Sequence, residues 1–259
     1  ETFSLNFHMS LEGTDLDKLA LSTEKLLAGT DSKITTVGYY CNPIQYAEHR
    51  KTLENVICTA GKFGATHVST FAGAWEGKPV ESAYEEFGKV FRELADLAEE
   101  KGVKLGIENC LMDGTWEHAT CNIGFNPKAW EVMFEEVKND NFGLEWEPTH
   151  QMVQLIDPVT ELRKWCKKIV HIHGKDATID WDAVRHSGIS GAVPFVWHRM
   201  PGFGDTNWRD IISILRSNGY EDDICIEGYH DPVYSGELEM TGQLHALNYL
   251  KWCRGGEFT

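Results

Sequence analysis

The chain has 259 residues, 42% of them hydrophobic, which suits one large globular domain over residues 1–259 rather than several small ones. Lys and Arg total 24 against 40 Asp and Glu, a formal net charge of −16. Such a surface repels nucleic acid and anionic membranes, because phosphate binding depends on clustered Lys and Arg.

No apolar run approaches the roughly 20 residues that span a bilayer. The opening ETFSLNFHMS lacks the basic and apolar regions of a leader peptide, so a cytoplasmic location is expected. The seven cysteines are scattered, odd in number and without a CxxC pair. That pattern fits reduced thiols better than a disulfide framework or a zinc ribbon.

In chain order, β-branched or apolar runs predict strands at 3–8, 34–40, 67–71, 103–110, 143–147, 169–173 and 223–227. Helical patterns lie between them. In 81–102 the apolar Tyr84, Phe87, Val90, Phe91, Leu94 and Leu97 recur at helical spacing, and Gly102 is a stop. In 126–137 an Asn–Pro pair supplies an N-cap and a first-turn proline. This βαβα order predicts parallel strands with right-handed crossovers.

A closed (β/α)8 TIM barrel needs eight strands, and seven are legible, so the first β–α unit is expected to lie upstream of residue 1. The competing doubly wound sheet would want a G-x-G-x-x-G turn, which is absent from the sequence.

Working residues of such barrels sit at the C-terminal ends of strands. GIENC ends a strand at Glu108, LEWEPTH offers Glu145, Glu147 and His150, HIHGKDA offers His171 and His173, and CIEGYHD offers Glu227. A lone Glu at a strand end is ordinarily solvated, and a lone His is ordinarily a hydrogen-bonded core residue. Several buried carboxylates gathered together would lose hydration and repel, each at a cost of several kcal/mol, and a divalent cation removes that conflict. Oxygen-rich donors with a single imidazole suit Mn²⁺, Mg²⁺ or Co²⁺ better than a cysteine-type zinc site. Alternation puts His171 and His173 on one face, and likewise Glu145 and Glu147. His173 and Glu147 lie nearer the mouth and are assigned as ligands, with His171 and Glu145 as deeper supports.

The runs GIENC, LEWEPTH, HIHGKDA, PGFGDTNW and CIEGYHD, in this order, resemble the xylose-isomerase-like TIM-barrel superfamily of sugar isomerases and epimerases. The resemblance to its ketose 3-epimerases implies metal ligands at Glu108, Glu147, His173 and Glu227, with Glu147 standing where that group usually has Asp. It implies a divalent ion, Mn²⁺ foremost, with Mg²⁺, Co²⁺ or Zn²⁺ as alternatives. It also implies that His150 touches substrate hydroxyls and that Arg199 reaches into the site. Lys175 and His8 are placed with them as substrate-binding residues, with a surface cation near the strand end as the alternative for Lys175. Glu108 and Glu227 would act as the acid–base pair moving a proton beside the carbonyl of a ketose or polyol.

The same site could instead eliminate, as in inosose dehydratases or enzymes that cleave 3-oxo-glycosides or C-glycosides. A nuclease of the endonuclease IV type shares the barrel but needs a basic face, which the net charge opposes. A non-enzymatic sugar-binding barrel is the remaining class. The PGFGD turn with His198 and Arg199 offers backbone N–H groups to a phosphate. The alternative is a turn that positions Trp208 while Arg199 pairs with an acid, and the cation-poor loops favour an unphosphorylated sugar. The nine tryptophans would suit stacking on sugar rings or an aromatic aglycone, though most are expected to be packing residues. Relatives commonly form homo-oligomers through the outer helices, and a different partner subunit is compatible with the sequence.

Overall fold

The computed structural model describes residues 1–256. Its elements in chain order begin with β1 (Thr2–His8), α1 (Leu16–Leu27), β2 (Lys33–Tyr40), α2 (Ala47–Thr59), β3 (His67–Thr70) and α3 (Tyr84–Glu100). They continue with β4 (Lys104–Glu108), α4 (Pro127–Glu136), β5 (Phe142–Trp146), α5 (Pro148–Met152), α6 (Pro158–Trp165) and β6 (Ile169–Gly174). The last are β7 (Asp176–Ile179), α7 (Trp181–Ser187), β8 (Val196–Arg199), α8 (Trp208–Ser217), β9 (Ile224–Ile226) and α9 (Glu239–Arg254).

All seven expected strands are present, and they join one sheet in the order β1-β2-β3-β4-β5-β6-β9. The pairs for which register is defined in this sheet are parallel. Strand–helix alternation around such a sheet is the architecture of a (β/α) barrel. One expectation was incomplete. The long interval before the last strand holds an antiparallel ribbon, β7 with β8, paired from Asp176 opposite Arg199 to Ile179 opposite Val196.

Chain contacts divide the molecule into two compact units, and β6 contributes residues to both. The first unit takes residues 1–146 and 168–171. Its strands β2 to β5 are nearly continuous runs of buried residues, as expected when both faces of a parallel sheet are covered. Phe87 and Phe91 of α3 stack at 4.6 Å, and both lie about 6 Å from Phe142 of β5. Helix α3 is preceded by a 3-10 turn at Val80–Ala83, so the amphipathic stretch starts a few residues later than its pattern suggests. Asn126 caps α4 by accepting from Lys128 N and Ala129 N, with Pro127 in the first turn, as the sequence predicts.

The second unit takes residues 147–167 and the remainder from 172. Its helices α6, α7 and α8 are capped by Asp157, Asp180 and Asn207. β9 pairs with β6 through Ile172, His173 and Gly174. All seven cysteines are unbridged, as expected. Among the described residues, no helix is long and apolar enough to cross a membrane.

Candidate metal centre

Glu147 occupies its position for a local reason. Proline disfavours helical geometry in the residue before it, so Pro148 keeps Glu147 extended at φ −134° and ψ 122°. Pro148 then opens α5, whose third residue is His150. The fully buried Glu147 carboxylate is met at 3.2 Å by His150 Nε2 and faces His173 Nδ1 at 3.7 Å.

His173 and Glu227 come from adjacent strand ends. His173 is paired with Cys225 in the β6–β9 ladder, and Glu227 follows β9 directly, its N–H donating to Gly174 O. His173 Nδ1 lies 3.0 Å from Glu227 Oε2. One donor atom from each of Glu147, His173 and Glu227 lies within 4.8 Å of the others. Lys175, two residues beyond His173, is buried and donates from Nζ to Glu227 Oε1 at 2.7 Å, with Glu147 Oε1 at 3.8 Å.

Burial works to raise the Glu227 carboxyl. The hydrogen bond and charge of His173 and those of Lys175 outweigh it and hold Glu227 well below the usual carboxylate range. His150 is pushed well below the usual imidazole range by burial and then by the Lys175 charge, so it is a neutral ring near neutral pH. Two carboxylates thus face one ammonium and two imidazoles. The donor set is oxygen-rich with an imidazole nitrogen aimed inward, and it fits a hard or borderline divalent cation.

In the first unit, Glu108 is the last residue of β4 and is buried. Asn122 holds that strand end, donating to Glu108 O and Cys110 O while accepting from Ala72 N and Gly124 N. The two residues read as deeper supports form a pair there: His171 Nδ1 donates to Glu145 Oε1 at 2.8 Å. Tyr40 donates its hydroxyl to Glu145 Oε2 at 2.9 Å. His8, exposed at the end of β1, stacks on Tyr40 at 4.8 Å.

Arg199 on β8 donates from Nε to Asp231 Oδ2 at 3.3 Å. Asp176 is buried and accepts from the backbone N–H groups of Ala177, Gly202 and Thr206. It therefore pins the PGFGD turn. A Cβ on Gly204 would lie 2.3 Å from Asp176 Oδ1, which is why glycine stands there. Trp208, beyond that turn, is fully buried.

Sequence reading passed over Asp231 and His230. Asp231 is buried and accepts from Met200 N, Val233 N and Tyr234 N at 2.8 Å each. Their only sequence signal is proximity to Glu227 in GYHD. His198 on β8 is pushed down to about 4, by burial first and then by the Lys175 charge.

The family described as xylose isomerase-like TIM barrel matches residues 1–251. An inosose dehydratase of Clostridium tetani is 26% identical over 182 residues, covering 68% of this chain and 57% of that enzyme. The chain thus spans just over half the length of that curated relative. Among solved structures, a D-psicose 3-epimerase determined in the presence of D-fructose is 15% identical, with a TM-score of 0.71 over 98% of this chain and 89% of that one. The IOLI protein with a bound zinc atom is 19% identical, with a TM-score of 0.66 over 97% of this chain and 86% of that one. These two likenesses are of fold.

Proposed function

Since the chain belongs to the xylose isomerase-like TIM-barrel family, we propose that it is a divalent-metal-dependent sugar isomerase or epimerase. It would move a proton at the carbon beside a carbonyl of a ketose or related polyol. The observation that carries this reading is the Glu147–His173–Glu227 cluster with Lys175 buried against it. Glu108 is the proposed fourth ligand, because sites of such barrels draw on the C-terminal ends of several strands. Mn²⁺ is the proposed ion, and the zinc of the IOLI protein makes Zn²⁺ the first alternative.

When bound, the cation supplies a Lewis acid that stabilises negative charge developing on oxygen. The protein's own groups do the rest. Glu227, kept ionised by His173 and Lys175, is the proposed proton acceptor. Glu108, on a different strand, is the proposed partner that returns the proton. His150, neutral and fixed against Glu147, offers its other ring nitrogen to a substrate hydroxyl. Positioned acid–base groups contribute about 10²–10⁴-fold.

One observation favours a second reading. Lys175 lies 2.7 Å from Glu227 Oε1, so a proton donor stands beside the proposed base. A lyase needs such a donor to protonate a departing hydroxyl, and a relative of 26% identity carries the name dehydratase. Incubating a panel of ketoses and inososes in D₂O, with and without chelator, tests both. Deuterium on the carbon beside the carbonyl of recovered sugar supports epimerisation. A dehydrated product supports the lyase, and turnover that ignores the chelator defeats both.

A further inference from the structure

From His150, beside the candidate ligand cluster, the second unit carries a row of rings whose outer members the proposed proton transfer does not use. His150, bound to Glu147, has its ring 6.3 Å from that of His198. His198 lies 5.6 Å from His230, and His230 lies 3.9 Å from Tyr229. The row runs from a buried histidine to a tyrosine that is 70% exposed. Successive rings are inclined at 72°, 77° and 55°, so the row is stepped rather than stacked on itself.

One feature fixes this row in place. Asp231 accepts from Met200 N and Arg199 Nε at the end of β8, and from Val233 N and Tyr234 N in its own loop. The loop bearing Tyr229 and His230 is thereby latched to the strand bearing His198. His230 itself sits at φ +72°, in the left-handed region that few non-glycine residues adopt and that histidine enters more readily than most. Rigid aromatic surface of this kind lowers the ordering cost of binding.

A second feature is polar. His198 Nδ1 is buried and has no hydrogen-bond partner among the described residues. Buried polar atoms nearly always have one, so this atom is suited to an oxygen of a ligand.

We propose that Tyr229, His230 and His198 form a subsite for a planar aryl group carried on the sugar, with His198 Nδ1 meeting an oxygen near the link. The substrate class is then an aryl-substituted keto sugar, which keeps the carbonyl that the proposed proton transfer needs. This inference rests on the proposed function for the placement of the sugar beside His150 and Glu147.

Calorimetric titration of para-nitrophenyl β-D-glucopyranoside and methyl β-D-glucopyranoside tests it, with and without Mn²⁺. Aromatic contacts predict that the aryl glucoside binds roughly fivefold tighter to the wild-type protein. Tyr229→Phe keeps that ratio and Tyr229→Ala brings it to about one. Tyr229 is exposed, so neither change disturbs the core. Equal affinities in the wild type, a ratio unchanged in Tyr229→Ala, or no binding of either glucoside overturns the subsite. Titrating Mn²⁺ into the same samples reads the metal centre separately. Mn²⁺ binding without an aryl preference removes the subsite alone, whereas an aryl preference without Mn²⁺ binding removes the metal reading and leaves the subsite.

Discussion

Glu147 shows how much one residue's chemistry depends on its neighbour in sequence. Pro148 holds it extended, the strand end buries it, and His150 from the first turn of α5 meets it at 3.2 Å. Partners outside the ligand shell orient ligands, and losing one typically costs 10–100-fold in metal affinity. His150→Ala is therefore predicted to weaken Mn²⁺ binding by about that factor, read by calorimetric titration. His198 gives a prediction in pH. Its folded value of about 4 lies below the ordinary 6.5, so the unfolded chain takes up the proton first. Stability present above pH 6.5 is lost as pH falls toward 4. Urea midpoints at pH 7 and pH 4.5 should fall further for the wild type than for His198→Gln. His173 and Glu227 were legible because alternation and strand-end position are local signals. Asp176 and Asp231 were not legible as latches, since their partners are backbone N–H groups that no sequence pattern marks.

At the scale of elements, the seven parallel strands were legible because each is a short apolar run bounded by helical periodicity. The β7–β8 ribbon was not. Its strands are four residues each, one begins with a buried Asp, and the other carries the exposed Trp197. Neither shows a clean alternation, and the antiparallel pair interrupts the expected order. Packing between parallel strands also depends on residues that look unremarkable in sequence. A Cβ on Gly143 of β5 would lie 2.4 Å from Lys168 O and 2.5 Å from Val170 Cγ1. A neighbouring backbone oxygen cannot yield as a side chain can. Gly143→Ala is predicted to destabilise the protein by about 1–3 kcal/mol, the usual cost of overpacking, seen as a lower urea midpoint at unchanged m.

For the whole molecule, an excess of 16 negative charges makes a polyanion an unfavourable ligand. Glu147 and Glu227 gather with His173 around a space that a divalent ion is proposed to fill, with Lys175 beside them. The most direct test is titration of Mn²⁺ into metal-stripped protein, alongside Glu147→Gln and His173→Ala. The account predicts one ion per chain in the wild type, a melting temperature that rises with free Mn²⁺, and loss of both in the two variants. Absence of binding to the wild type, or undiminished affinity in both variants, would contradict it.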